Sequence, residues 1–126
     1  MKISLLTIAA ILFAGVAHEV SAQVKHVVVF KYKSTATADE IEQVSTAFKA
    51  LKGKVPGIIS FEYGTNNSPE GLNKGFTHIY LLTFKDAASR DAYLPHPEHK
   101  KFGELLGKLG VLEEPFVVDF EVQTVR

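Results

Sequence analysis

Residues 76–84 read FTHIYLLTF, and the fold turns on this stretch. Phe76, His78, Tyr80, Leu82 and Phe84 fall on one face of an extended chain, and Thr77, Ile79, Leu81 and Thr83 on the other. This is the period-two alternation of a β-strand. Both faces are apolar, so covering one with helices leaves the other in need of a partner. Residues 24–33 behave alike. His26, Val28, Phe30 and Tyr32 alternate with Lys25, Val27, Val29 and Lys31, again with β-branched and aromatic enrichment.

Between these two strands the sequence predicts a helix and a further strand. Thr37-Ala38-Asp39-Glu40 is a capping box, in which the threonine hydroxyl accepts from the Glu40 amide while the glutamate reaches back. Ile41, Val44, Phe48 and Leu51 recur at helical spacing until Gly53 and Pro56 end the pattern. Residues 58–63 read as the second strand, stopping at Gly64, and residues 65–75 (TNNSPEGLNKG) as a long connecting loop. After residue 84, Asp86 can cap a second helical region, interrupted by Pro95 and Pro97 and resuming over 98–109. Residues 117–125 are expected to form the last strand. The order is that of the split β-α-β-β-α-β unit, an α+β fold whose four-stranded antiparallel sheet carries two helices on one face. The remaining apolar face would be a large patch exposed to water. A second copy, packed sheet against sheet as an isologous homodimer with a closed barrel-like core, covers it most economically. The alternative is an open sheet that binds a lipid-like ligand directly.

The chain has 126 residues, enough for one domain, with 14 basic and 14 acidic side chains and no cysteine. Net neutrality lacks the clustered positive charge of nucleic-acid binders, so no nucleic-acid partner is expected. Zero cysteine removes disulfides, thiolate nucleophiles, iron–sulfur clusters and Cys-type zinc sites.

The N-terminus has the order of a secretory signal. Lys2 precedes the apolar run of residues 3–16, which is too short for a ~20-residue membrane span, and Val20-Ser21-Ala22 ends in small residues before Gln23. Cleavage is expected after Ala22, leaving a secreted or periplasmic domain of residues 23–126 with no membrane association. It removes one basic residue, Lys2, and one acidic residue, Glu19, so neutrality survives. An uncleaved N-terminal anchor is the alternative.

The groups able to do chemistry are then the histidines. His26 lies in the first strand and His78 in the third, each on a face that also carries Phe and Tyr, while Tyr93-Leu94-Pro95-His96-Pro97-Glu98-His99 crosses the helix break. A histidine beside a tyrosine hydroxyl in a semi-apolar cleft can take a proton from a carbon acid or a phenol. The structural alternative is that strand histidines bond to neighbouring backbone or tyrosine and that His-Pro-x-His fixes a bend. His96 and His99, helped by Glu98 or His78, could ligate a divalent ion, but Pro97 disturbs their alignment. Haem through His26, His78 or His99 is a further option. The favoured expectation is no cofactor and no metal.

Four motifs resemble the stress-responsive α/β-barrel domain family: residues 24–31 (VKHVVVFK), Pro56-Gly57, residues 75–79 (GFTHI) and residues 91–102 (DAYLPHPEHKKF). The resemblance implies a ferredoxin-like fold that pairs as a dimeric α/β barrel. The family's best understood enzyme is a cofactor-free polyketide cyclase. Carried over, its catalytic histidine resembles His99 and its supporting tyrosine Tyr93, so that His99 would be general base and Tyr93 would hold the carbonyl oxygen that becomes an enolate. His26 and His78 match histidines lining the same cavity, and Phe48, Tyr80 and Phe102 are expected to complete the ligand site. Phe48 stands where that cyclase has a tyrosine, and Ser45, Lys49 and Tyr80 replace apolar pocket residues. Two functional classes follow: a stress-associated, small-molecule-binding homodimer for an apolar or aromatic ligand, or a cofactor-independent lyase or cyclase. Export weighs against polyketide work, because activated thioesters are cytoplasmic.

Overall fold

Alternation along β1 (Val24–Tyr32) organises the molecule: Val24, His26, Val28 and Phe30 are buried while Lys25, Val27 and Val29 are only partly so. In the computed structural model, which describes residues 22–126, β1 is a central strand. It pairs antiparallel with β3 (His78–Phe84) on one side and β4 (Leu112–Glu121) on the other. β2 (Ile58–Thr65) joins the outer edge of β3, giving the order β2-β3-β1-β4 expected of a ferredoxin-like sheet. The expected signal segment, Ala22 apart, lies outside the described residues.

The helices form where the sequence places them. α1 (Ala38–Lys49) begins at the capping box, with Thr37 Oγ1 accepting from the Glu40 amide and the Glu40 carboxylate from the Thr37 amide. A 3-10 turn, Ala50–Gly53, ends it. The second helical region is two helices, α2 (Ala87–Tyr93) and α3 (Pro97–Leu109). Asp86 caps α2 through the Ser89 amide. Pro97 opens α3, where its missing N–H costs no bond, and the His96 side chain accepts from the Glu98 amide as N-cap. The Pro56-Gly57 turn fits tightly under α2. Gly57 sits at φ 91, and a Cβ there would meet Ser89 Cβ at 2.6 Å, so only glycine lets the turn support the helix that carries Tyr93.

Several strand ends differ from expectation. β2 continues through Gly64 to Thr65, and β3 starts at His78 because Phe76 and Thr77 belong to the preceding loop. The last strand is Leu112–Glu121 instead of 117–125. Glu113-Glu114-Pro115 reads as a breaker, yet β4 is an edge strand, where charge and proline are tolerated because one side of the backbone has no ladder to complete.

The helices cover one sheet face, and the core lies between them: Phe48 of α1, Tyr93 of α2 and Phe102 of α3 pack on Val28, Phe30, Tyr80, Leu82 and Phe84. The opposite face carries Val27, Val29, Ile79 and Leu81, continued on β4 by Phe116, Val118 and Phe120, each about half exposed. Phe76 leans onto Phe116, with ring centroids 6.1 Å apart. Among the described residues, no helix is long and apolar enough to cross a membrane.

Candidate functional site

Tyr93 ends α2 and His99 lies in the first turn of α3, so the break between the two helices brings them face to face. Their ring centroids are 4.2 Å apart, with the planes tilted by 34°. His99 Nδ1 stands 2.9 Å from the Leu94 carbonyl oxygen, which can only accept. Nδ1 therefore carries the proton, and in the neutral ring Nε2 keeps a lone pair free for a ligand. Tyr93 is fully buried, between His26 (5.7 Å) and Phe84 (5.1 Å) as well as His99. Its hydroxyl has no hydrogen-bond partner among the described residues. Burial first, and the nearby charge of Asp119 second, push its pKa well above that of a free tyrosine, so the group stays an O–H donor.

Both side chains open onto a cavity of about 220 Å³ between α3 and the sheet, whose wall includes His26, Phe30, Phe48, Phe102 and Val117. The lining is apolar except at His26, Tyr93 and His99. Of the residues in that wall, Tyr93 carries a donor and His99 an acceptor, the two kinds of group that can fix the orientation of a ring-sized ligand through a single oxygen.

His26 is held from behind. Its Nδ1 donates to Asp119 Oδ1 at 2.6 Å, and Asp119 Oδ2 accepts from Arg90 at 2.7 Å, linking β1, β4 and α2 in one charge-assisted chain. Sequence reasoning missed Asp119 and Arg90. Asp119 is 93 residues from His26, and only the β1–β4 register, which sets them opposite each other, joins them.

The expected constellation is therefore split. His26, Phe48, Tyr93, His99 and Phe102 share the cavity, whereas His78 and Tyr80 do not reach it. Those two line a separate cleft of about 470 Å³ between α1 and β2, together with Ile41, Ser45, Tyr63 and Thr65. His78 Nδ1 bonds to Thr77 Oγ1 at 2.8 Å, the ring stands edge-on to Tyr32 at 5.0 Å, and burial lowers its pKa. Tyr80 shares hydrogen bonds with Ser45 (2.7 Å) and Tyr32 (3.2 Å). Burial, then the bond to Tyr80, raises the Tyr32 pKa strongly. His96 is occupied as the α3 cap. Among the described residues, no three His, Asp or Glu side chains gather as a metal site.

Comparison with known proteins places this site in context. The chain is 29% identical over 107 residues to the stress-response A/B barrel domain-containing protein HS1 of Arabidopsis thaliana, covering 85% of this chain and 96% of that one. It is 28% identical over 82 residues to olivetolic acid cyclase of Cannabis sativa, covering 65% and 81% respectively. Among solved structures, a dimeric ferredoxin-like protein of unknown function from Jannaschia sp. CCS1 superposes with a TM-score of 0.68 at 28% identity, covering 79% of this chain and 99% of that one. The hydroxynitrile lyase of Passiflora edulis shares the fold with a TM-score of 0.75 at 24% identity, covering 83% and 97%. The sequence profile of the Stress responsive A/B Barrel Domain matches residues 24–122, and the chain belongs to that family.

Proposed function

We propose that the protein is a homodimeric small-molecule-binding protein whose cavity takes a compact apolar or aromatic ligand through one oxygen atom, with Tyr93 donating to that oxygen. The observation that carries this reading is the Tyr93 hydroxyl, buried without a partner among the described residues on a side chain that lines the cavity. A buried donor left unmatched costs stability, so its presence is accounted for by a ligand that completes it. A phenol fits both groups at once, its oxygen accepting from Tyr93 and its proton passing toward His99 Nε2. Homodimerisation is supported by the half-exposed Phe116, Val118 and Phe120 on the open sheet face and by solved relatives that are themselves dimeric. The test of binding is NMR titration with 4-methylphenol. Shifts at the Tyr93 and His99 ring resonances support the reading; their absence at millimolar phenol overturns it.

A second reading, a cofactor-independent lyase- or cyclase-type enzyme, is favoured by one observation: the Leu94 carbonyl fixes the His99 tautomer, leaving Nε2 as a base beside the Tyr93 donor. With an enolisable aryl ketone, Nε2 would take the α-proton. The C–H electron pair would form the enol double bond, and the carbonyl oxygen would become an enolate held by Tyr93 O–H. Relatives named as a cyclase and a lyase support this class of chemistry. Deuterium uptake from D2O into the methylene of phenylacetone, accelerated by the protein and lost in His99→Ala, would establish it; uptake unchanged by His99→Ala would refute it.

Export after cleavage at Ala22 belongs to the same proposal, supported by the basic, apolar and small-residue order of residues 2–22. N-terminal sequencing of secreted protein should begin at Gln23, and retention of residues 1–22 would refute it.

A further inference from the structure

We propose that Tyr80 is a specificity-determining residue that backs the Phe30–Phe48 wall at the inner end of the His99–Tyr93 cavity and stops a ligand's tail from extending inward through it. This rests on the reading of that cavity as a ligand site. The cavity and the α1–β2 cleft lie on opposite sides of an aromatic wall. Phe30 and Phe48 face the cavity, and Tyr80 stands behind them facing the cleft. The Tyr80 ring lies 5.3 Å from Phe30 and 4.9 Å from Phe48, and only 1% of the residue is exposed. Phe48 is in turn stacked on Phe102 at 4.4 Å and set edge-on to Phe61 at 5.1 Å. It cannot swing aside while Tyr80 fills the space behind it.

Tyr80 is also pinned at its far end. Its hydroxyl is the middle of a hydrogen-bonded chain, Ser45 on one side and Tyr32 on the other, so two bonds would have to break before the ring could move. Phe30, Phe48 and Phe102 are packed rings with no such tether. The wall is therefore a fixed partition, and its fixed point is Tyr80.

Size then decides what the cavity admits. A dry apolar cavity of ~150 Å³ holds one benzene ring, so about 220 Å³ accommodates a ring and a few further atoms. A longer tail cannot be buried inward. With the Tyr80 ring removed, the space behind Phe48 connects to the 470 Å³ cleft, and an extended ligand of the size held by ordinary drug-sized pockets could enter.

The test is a homologous series of 4-alkylphenols, methyl to hexyl, titrated calorimetrically into the intact mature protein and into Tyr80→Val, with the ring resonances of His99 and His78 followed by NMR. Each buried methylene should tighten binding by about fourfold. In the wild-type protein the gain should stop by the propyl compound, and only His99 should shift. In Tyr80→Val the gain should continue to hexyl, and His78 should shift as well. The wild-type series alone tests the partition if Tyr80→Val does not fold: affinity rising at every step to hexyl would overturn it. A folded Tyr80→Val with the wild-type cut-off would overturn it too. Both outcomes leave phenol binding intact and are distinguishable from the case in which no alkylphenol shifts His99, which refutes the ligand site and this inference together.

Discussion

Replacing Tyr93 by phenylalanine removes one oxygen atom and should make the protein more stable. A buried tyrosine normally loses about 1 kcal/mol on this change, because its hydroxyl gives up a hydrogen bond. Tyr93 is the reverse case: it is fully buried, its ring is packed by His26, Phe84 and His99, and its hydroxyl has no partner among the described residues. An unmatched buried hydroxyl costs ~1–3 kcal/mol. Taking the lower end of that range, Tyr93→Phe should gain about 1 kcal/mol while every ring contact is kept. In a domain of this size the gain corresponds to a rise in Tm of about 4–8 °C. Thermal and urea unfolding of the two purified proteins would measure it, with 4-methylphenol affinity as the companion assay. That affinity should fall about tenfold, the equivalent of one unreplaced hydrogen bond of ~1.4 kcal/mol. A drop in Tm would refute the reasoning, since it would mean that the hydroxyl is already bonded within the fold and no donor is waiting for a ligand.

Asp119→Asn should cost about 1–2 kcal/mol in urea unfolding, because His26 and Arg90 both lose their charged acceptor; Arg90→Met, which removes the partly exposed Asp119 arm and the exposed pair with Asp91, should cost less than ~1 kcal/mol. Val118→Asp places a charge in the middle of the open apolar face and should turn a sedimenting dimer into a monomer with an unchanged fold by circular dichroism. The His78 ring resonance should titrate below the ordinary imidazole value of 6.5, because burial disfavours its charged form. The sign for stability follows: the neutral ring's contribution is complete above the unfolded-state value and fades as the pH falls toward the folded one, and this fading should be missing in His78→Gln.

Local features of this protein were legible in its sequence because they depend on neighbours in the chain. Thr37 and Glu40 are three residues apart and form the predicted cap. Pro97 marks the break from which Tyr93 and His99 face each other. The uncovered sheet face follows from β1 and β3 alternation alone. What escaped depends on register and packing. Nothing near Asp119 marks it as the partner of His26, since the two meet only across the β1–β4 ladder. His78 and Tyr80 share a sheet face with His26, so alternation alone groups them. The rings of Phe30 and Phe48 separate them, and a pattern of alternating residues carries no measure of ring thickness. The early start of β4 was hidden by Glu113, Glu114 and Pro115, whose tolerance depends on the strand lying at an edge.

That edge position has a consequence for solubility. Phe116-Val117-Val118 is the kind of short, uncharged, β-prone run that stacks into fibrils when a free backbone edge is exposed, and β4 presents that edge in the protomer. Glu113, Glu114 and Pro115 stand immediately before it, and Asp119 and Glu121 follow it. They act as gatekeepers. A third chain adding along the edge would meet repelling carboxylates and a residue with no N–H to offer, whereas packing against the open face of the sheet meets the apolar side chains of Phe116, Val118 and Phe120. The same strand thus permits association that ends at a finite number of chains and opposes the kind that propagates without limit.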